Sequence, residues 1–261
     1  MSKKKQALLT VLETKAIYPV FQPIVDLQNG NVVAYESLSR IENKNIDINI
    51  EELFCLAEAY GCVWKLEKLC RDKALKASMN KPSGTKIFLN VDGQIFQDSN
   101  FISGFTNRKL EKFGLLNEDI VFEITERTDI ENYVLLQAIM NHYIDQGYQI
   151  ALDDVGAGYS GLNRVVNTTP NYLKADIELV RNIHLSKSKQ SMMKLLVEYC
   201  DEMGLKLIAE GIETQEELEC ICNLHVHYGQ GYYLGLPDCK FNGVSSQALQ
   251  YLMNIHGMIK T

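Results

Sequence analysis

The sequence contains no long hydrophobic run. Its longest uncharged stretches, such as residues 18–25, include proline or polar residues and fall short of the roughly 18 apolar residues that a membrane-spanning helix needs. The apolar residues 7–11 are followed closely by Glu13 and Lys15 and lack a small-residue cleavage site, unlike a signal peptide. We therefore expect neither a transmembrane segment nor a leader peptide.

Basic residues are outnumbered by acidic residues, and the cysteines do not form a recognisable disulfide framework. The net charge is -7, whereas binding to a nucleic-acid backbone needs a basic surface. We therefore predict no polymeric nucleic acid as a partner, and any phosphate ligand must be held locally by metal ions or a few basic side chains.

The seven cysteines are odd in number and lack scaffold spacing, so a reducing cytoplasm is the expected compartment.

Long linkers, internal repeats and low-complexity tracts are also absent. What is present is ordinary globular composition, with 46% hydrophobic and 23% charged residues, which predicts a sizeable core. We interpret residues 1–261 as a single domain whose core spans about residues 16–258.

Short β-type runs alternate with stretches of helical spacing. The predicted strands are residues 20–25, 32–38, 86–91, 120–125, 149–153, 172–175, 205–209 and 227–232. The predicted helices are residues 50–79, 130–146, 188–203, 215–224 and 244–259. This alternation predicts an α/β fold, a TIM-like (β/α)8 barrel. Asn29-Gly30 is a tight-turn signal, so the first strand is predicted to run antiparallel to the second.

Oxygen-bearing side chains occur near the carboxyl end of strand after strand. They are Glu36, Asn90, Glu123, Asp153, Asp154, Asp176 and Glu210. Any one of them alone can be a loop residue or a helix N-cap. In a barrel, however, these strand ends converge on one mouth, and carboxylates packed together repel unless a cation lies between them. An all-oxygen site suits Mg²⁺ or Mn²⁺ better than zinc.

Asp153 and Asp154 adjoin a glycine-containing segment, residues 155–161. Two neighbouring carboxylates can bind two ions or share one, which is compatible with a two-metal hydrolytic centre. The glycines permit a lid or a partner contact. Lys174 shares the strand parity of Asp176 and is a candidate for activating a metal-bound water, although it can also be an ordinary surface lysine.

A zinc site is the alternative suggested by a different cluster. Cys220, Cys222, His225 and His227 have a spacing that superficially suits zinc. The two cysteines are predicted on a helix and the histidines on the following turn and strand, where the four side chains do not converge readily.

Short motifs follow one another in order between residues 18 and 237. They are residues 21–26 (FQPIVD), 35–40 (YESLSR), Asn90, 123–126 (EITE), 153–160 (DDVGAGYS), 174–176 (KAD), 209–214 (AEGIET) and 230–232 (QGY). Together they resemble the EAL-domain cyclic-di-GMP phosphodiesterases. The resemblance implies a barrel with one antiparallel strand that hydrolyses cyclic di-GMP to linear pGpG with Mg²⁺ or Mn²⁺.

The resemblance also implies a role for each matching residue. One metal ion would be held by Glu36, Asn90, Glu123 and Asp153, and a second by Asp153, Asp154 and Glu210. Glu36, Lys174 and Glu210 are the expected catalytic residues, with Lys174 orienting or deprotonating the attacking water. The remaining positions are Gln22 and Arg40 at the substrate phosphate, Gln230 at a second water or ligand, Asp176 and Glu213 supporting the inner shell, and Glu126 anchoring the loop that starts at Asp153. A homodimer is expected from the family.

Two positions depart from the family pattern. Ser37 replaces the alanine of the Glu-Ala-Leu signature, and Val155 replaces the phenylalanine that usually follows the paired aspartates. Two rival functions stay open at this point. One is a catalytically silent domain that binds cyclic di-GMP or a protein, although such members usually lack a metal ligand and none is missing here. The other is a hydrolase on the same barrel that acts on a different phosphodiester.

Overall fold

The computed structural model describes residues 3–43, 46, 48–124, 133–156 and 161–255. The strands are β1 (Ile17–Asp26), β2 (Val32–Ile41), β3 (Lys86–Val91), β4 (Ile120–Ile124), β5 (Gln149–Val155), β6 (Tyr172–Ala175), β7 (Lys206–Ala209) and β8 (Tyr228–Gly229). The helices are α1 (Lys3–Thr14), α2 (Ile50–Ala59), α3 (Val63–Ala77), α4 (Phe105–Phe113), α5 (Tyr133–Ile144), α6 (Gly161–Val166), α7 (Ile177–Val180), α8 (Lys187–Met203), α9 (Gln215–Asn223) and α10 (Ser246–Ile255).

The eight strands close into one barrel in sequence order. Strand β1 is antiparallel to both neighbours, β2 and β8, while the other neighbouring strands are parallel. The predicted turn reverses the chain between β1 and β2: Gly30 has φ +71°, and the Asn29 side chain accepts a hydrogen bond from Asn31 N at 2.8 Å. The TIM-like fold with one antiparallel strand is thus confirmed.

Two apolar layers hold the barrel together. A large cluster fills the space between the outer faces of the strands and the helices. A smaller cluster lies among the strands and consists of Ile24, Ala34, Phe88, Val121, Ala151, Tyr172 and Ile208. Since side chains alternate between the two faces of a strand, each of the strands β1 to β7 contributes to both layers. The inner cluster is the base on which the polar site described below is built.

All eight predicted strands are present, but several helix predictions were wrong. The predicted helix 50–79 is two helices, because the chain turns at Gly61 with φ +62°. Helix α1 was missed, although it buries Leu8 and Val11 one turn apart, and so were α4 and the short helices α6 and α7. The predicted residues 130–132 and 256–259 lie outside the described part of the chain. Among the described residues, no helix is long and apolar enough to span a membrane.

Candidate functional site

The interior of the barrel has two levels. The lower level is the apolar inner cluster, together with the half-buried Tyr228 of β8. Two positions nearer the mouth, every strand or its immediate end carries a polar residue: Gln22, Glu36, Asn90, Glu123, Asp153, Lys174, Glu210 and Gln230. A spacing of two keeps both residues on the same face of a strand. On the antiparallel β1 the order is reversed, and Gln22 precedes Ile24.

Lys174 lies at the centre of the polar level and is only 1% exposed. Its Nζ is 2.5 Å from an oxygen of Glu123 and 2.5 Å from an oxygen of Glu210. It is also 3.4 Å from Glu36 and 3.6 Å from Asp153. The ordinary surface lysine considered above is therefore excluded. One ammonium faces four carboxyl groups, so full ionisation of the cluster would leave more negative than positive charge.

The charge balance shifts the pKa of several groups. Burial and the nearby Glu36 raise the pKa of Glu123 well above its usual value, and burial likewise raises the pKa of Glu210. Burial alone would lower the pKa of Lys174, but Asp153 and the other carboxylates raise it well above the usual value. For Asp153, burial raises the pKa, but the ammonium of Lys174 and hydrogen bonds from neighbouring groups together outweigh burial and lower the pKa. Without metal ions, the raised pKa favours the ammonium form of Lys174, which can orient a water by donating a hydrogen bond.

Glu36 connects the carboxylates to an amide network. Its Oε1 accepts a hydrogen bond from Asn90 Nδ2 at 3.0 Å. Its Oε2 accepts one from Gln230 Nε2 at 2.7 Å, and the same Nε2 lies 3.2 Å from Oε1 of Gln22. Gln22 in turn donates to the Gly235 carbonyl at 3.2 Å. The strands β1, β2, β3 and the end of β8 are thus linked by side chains across the mouth.

The two neighbouring aspartates occupy an irregularity in β5. The register between β5 and β6 shifts between Leu152 and Val155, and Asp154 has a left-handed backbone with φ +56°. In a regular strand, consecutive side chains would point to opposite faces, and a bulge of this kind redirects one of them. As a result, carboxylate oxygens of Asp153, Asp154 and Glu210 lie within 4.8 Å of one another.

The donor set fits divalent metal ions. Two groups of carboxylates have oxygens within 4.8 Å of one another, namely Glu36, Glu123, Glu210 and Asp153, Asp154, Glu210. Oε2 of Glu123 and Oδ1 of Asp153 are buried and accept no hydrogen bond from the described residues. Buried carboxyl oxygens that accept no hydrogen bond are costly, and oxygen-rich sites suit hard cations such as Mg²⁺ and Mn²⁺. The residues therefore fit one or more such ions.

The other predicted residues lie farther from this centre. Arg40 is half-buried and lines a cavity of about 350 Å³ that opens beside Glu36. Asp176 is buried and caps α7 by accepting a hydrogen bond from Glu178 N at 2.7 Å, which is the N-cap role that sequence alone left open. Glu213 is exposed and lines a second, smaller cavity. Glu126 lies outside the described residues.

Sequence reasoning missed three residues that line the larger cavity. Glu67 and Arg71 of α3 and Asp92 after β3 line it together with Asn90 and Asp153. The signal in the sequence was a Glu-Arg pair four residues apart in a predicted helix, a spacing that usually marks an exposed face. Here both side chains of the pair are at most 4% exposed.

The cysteines and histidines of the alternative zinc site do not come together. His227 Nε2 is 2.9 Å from Asp201 Oδ1, and its Nδ1 accepts a hydrogen bond from Leu207 N at 3.2 Å. Cys220 and Cys222 lie on α9. Within the described part of the chain, the only groups with ligand atoms close enough to share an ion are the two carboxylate groups.

Comparisons with known proteins agree with this architecture. The model of the EAL domain matches residues 5–237. The chain is 25% identical over 238 residues to the probable cyclic di-GMP phosphodiesterase PdeG of Escherichia coli K12, covering 89% of this chain and 47% of that protein. It is 28% identical over 240 residues to the cyclic di-GMP phosphodiesterase PdeL of the same organism, covering 89% and 65%. The chain thus spans about half to two thirds of these relatives.

Solved structures show the same fold. A standalone EAL protein from Vibrio cholerae O395 in its c-di-GMP-bound form has a TM-score of 0.76 and 26% identity, covering 89% of this chain and 97% of that one. The calcium and cy-diGMP complex of Klebsiella pneumoniae BlrP1 has a TM-score of 0.79 and 25% identity, covering 88% and 58%.

Proposed function

The chain belongs to the EAL-domain family, and from this premise we propose that it hydrolyses cyclic di-GMP to linear pGpG with Mg²⁺ or Mn²⁺. Two relatives, 25% and 28% identical to this chain, are named as cyclic di-GMP phosphodiesterases, one of them as probable. A solved structure with the same fold is in a c-di-GMP-bound form. The observation that carries the proposal is the cluster of carboxylate oxygens at the barrel mouth, two of which are buried and accept no hydrogen bond from the described residues.

The proposed metal ligands are the residues expected from the sequence. Glu36, Asn90, Glu123 and Asp153 would hold one ion, and Asp153, Asp154 and Glu210 the other. When bound, the ions would supply an activated water and neutralise negative charge on the phosphate. The protein would supply the fixed orientation of these oxygens, because the strands that carry most of them are hydrogen-bonded to one another.

The remaining polar residues would place the substrate and the water. Lys174 is buried among the carboxylates and would hold the attacking water by donating a hydrogen bond. Gln22 and Arg40 are donors near Glu36 and would bind phosphate oxygens, while Gln230 would place a second water or ligand. Asp176 and Glu213 would act indirectly, through the chain segments after β6 and β7. Glu126 keeps its proposed role as a loop anchor.

Turnover by the purified protein tests the proposal. We expect cyclic di-GMP to be converted to pGpG, followed by chromatography, in Mg²⁺ or Mn²⁺ but not in EDTA. Glu36→Ala removes a carboxylate shared by the metal and amide networks and should abolish turnover. Tight binding of cyclic di-GMP without turnover would make the chain a receptor, and absence of both would contradict the substrate assignment.

A panel of substrates tests the choice of phosphodiester. Other cyclic dinucleotides and linear dinucleotides should be hydrolysed far more slowly than cyclic di-GMP. Faster hydrolysis of another compound, equally sensitive to Glu36→Ala, would indicate a different hydrolase on the same barrel.

The organisation of the protein is part of the same proposal. We propose that residues 1–261 form one EAL-type domain in the cytoplasm, with α1 packed against it through Leu8 and Val11. We also propose that the chain forms a homodimer. Light scattering on the purified protein checks the mass, and a monomeric mass at working concentrations would contradict the dimer.

A further inference from the structure

A buried ion pair outside the barrel joins α3 to two of the strands that carry proposed metal ligands. Glu67 and Arg71 lie one turn apart on α3, and their charged groups are in direct contact. Both side chains are at most 4% exposed. Burying two charges costs desolvation, so such a pair contributes little net stability unless its other donors and acceptors are also used. The further partners of the pair therefore indicate what it does.

Glu67 reaches the end of β3. Its Oε2 accepts a hydrogen bond from the backbone N–H of Asp92 at 3.0 Å. Asp92 comes two residues after the proposed ligand Asn90, at the point where β3 gives way to a short 3₁₀ turn. The Asp92 side chain begins that turn by accepting a hydrogen bond from Gln94 N at 2.9 Å. Glu67 thus fixes the backbone immediately after Asn90.

Arg71 reaches the middle of β4. Its guanidinium carbon lies 4.9 Å from the ring centre of Phe122, the residue before Glu123. Because side chains alternate along a strand, Phe122 faces α3 while Glu123 faces the barrel interior. Arg71 also donates to Thr106 Oγ1 at 3.2 Å and to Tyr143 OH at 3.4 Å. These contacts hold the guanidinium against the outer face of β4.

We propose that Glu67 and Arg71 are positioning residues for the metal centre. They hold the end of β3 and the outer face of β4 so that the oxygens of Asn90 and Glu123 keep the spacing that a divalent ion needs. Groups that orient metal ligands commonly change metal affinity about 10-fold to 100-fold when they are altered. This inference rests on the proposed metal-dependent function and assigns residues outside the ligand set to it.

A second ion pair provides a matched control. Lys81 and Asp119 are 2.7 Å apart, with side chains 8% and 21% exposed. Lys81 precedes β3 and Asp119 immediately precedes β4, so this pair joins the opposite ends of the same two strands. Loss of the Lys81–Asp119 ion pair should perturb the amino-terminal ends of β3 and β4 and leave the residues at the mouth of the barrel in place.

The experiment measures Mn²⁺ affinity of the full chain by electron paramagnetic resonance of the free ion, together with urea unfolding. Glu67→Asp keeps the carboxyl group, but its shorter side chain cannot contact both Arg71 and Asp92 N. We expect it to weaken Mn²⁺ binding about tenfold or more. Lys81→Met should leave Mn²⁺ binding within about twofold of the parent, because distant sites act independently. We expect this even if Lys81→Met lowers the free energy of unfolding as much as Glu67→Asp does.

The readout separates this inference from the proposed function. If the parent binds Mn²⁺ and Glu67→Asp binds it equally well, the inference alone is overturned, and equal weakening by Lys81→Met overturns it too. If the parent binds no Mn²⁺, the proposed function fails as well. Should Glu67→Asp not fold, the double variant Glu67→Met with Arg71→Met replaces the pair by apolar residues, a change that folds often tolerate. Parental Mn²⁺ affinity in that variant would also overturn the inference.

Discussion

At the scale of single residues, Lys174 has the largest effect on the charge of the site. Its ammonium lies 2.5 Å from two carboxylates and within 3.6 Å of two more. In the absence of metal ions it is the only cation that contacts these four groups among the described residues. The same ammonium that places a water in the proposed reaction therefore also stabilises the metal-free protein.

Replacing this lysine should destabilise the metal-free protein. Lys174→Met leaves buried carboxylates without their cation, and removing one partner of a buried ion pair typically costs about 3–5 kcal/mol. We expect a loss of this size in the free energy of unfolding at pH 8 with EDTA, measured with urea, and partial recovery in Mn²⁺. The exposed Lys206→Met is the control and should change stability by less than about 0.5 kcal/mol. Equal stability of the two variants would contradict this charge balance.

The chemistry of the site residues was predictable from sequence, but some individual roles were not. Acidic residues near successive strand ends predicted the cluster, because a barrel brings those ends together. The burial of Lys174 depended on its neighbours across the barrel, which no local pattern reveals. Asp176 has the N-cap geometry that its position after a strand also allowed. Ser37 and Val155, the two departures from the family pattern, are both buried.

At the scale of elements, the turn after β7 depends on a carboxylate from α9. Glu217 is 3% exposed and accepts hydrogen bonds from the backbone N–H groups of Glu213 and Thr214 at 2.9 and 3.1 Å. Its other oxygen accepts one from Asn182 N at 2.8 Å. One side chain therefore caps α9 and joins the segment that follows Glu210 to the segment that follows α7.

Loss of this carboxylate should destabilise the fold. Glu217→Ala leaves three backbone donors without their acceptor, and we expect the free energy of unfolding to fall by about 2–4 kcal/mol. Urea unfolding measures the effect. Glu216→Ala, on the exposed side of the same turn, should change it by less than about 0.5 kcal/mol, and similar values for the two variants would show that the cap contributes nothing.

Elements were predicted well where the pattern was strong and local. All eight strands were recognised from apolar β-branched and aromatic runs, and the hairpin from Asn29-Gly30. The break between α2 and α3 was missed because helical spacing continues on both sides of Gly61 with little change. The bulge at Asp154 could not be predicted, since its left-handed backbone depends on the register between β5 and β6.

At the scale of the whole molecule, the two interior levels explain why a stable barrel can carry this charge. The apolar inner cluster and the larger outer cluster supply the buried surface that stabilises the fold. The acidic level lies above them, at the end of the barrel where active sites of this fold are found. On each strand, or at its end, the residue of the lower level and the polar residue of the upper level lie two positions apart in the sequence. This pattern becomes evident once the strands are aligned.

The stability of the metal-free protein should fall as pH rises. The pKa values of Glu123 and Glu210 are raised by burial, so folding favours their protonated forms. Their contribution is fully present below the ordinary value of 4.5 and is lost as pH rises through the raised values. The pKa of Asp153 is lowered, so its contribution to stability is lost only as pH falls below the ordinary range of a carboxyl group. It does not reverse the loss of stability that we expect as pH rises.

Urea unfolding across this pH range, with EDTA or with saturating Mn²⁺, measures the effect. Bound Mn²⁺ should remove most of the loss, because a cation between ionised carboxylates replaces the protons. All other titrating groups are the same in both conditions, so the difference between the two curves isolates the site. Parallel curves would contradict the assignment of these carboxylates as metal ligands.

The most direct test of the proposed function is hydrolysis of cyclic di-GMP in ¹⁸O-labelled water with Mn²⁺, followed by mass spectrometry of the product. Attack by water held at this site predicts pGpG that carries one labelled oxygen on its new terminal phosphate, and no product in EDTA. Intact cyclic di-GMP after prolonged incubation, from protein that is folded and binds Mn²⁺, would contradict the proposal that this EAL domain is an active phosphodiesterase.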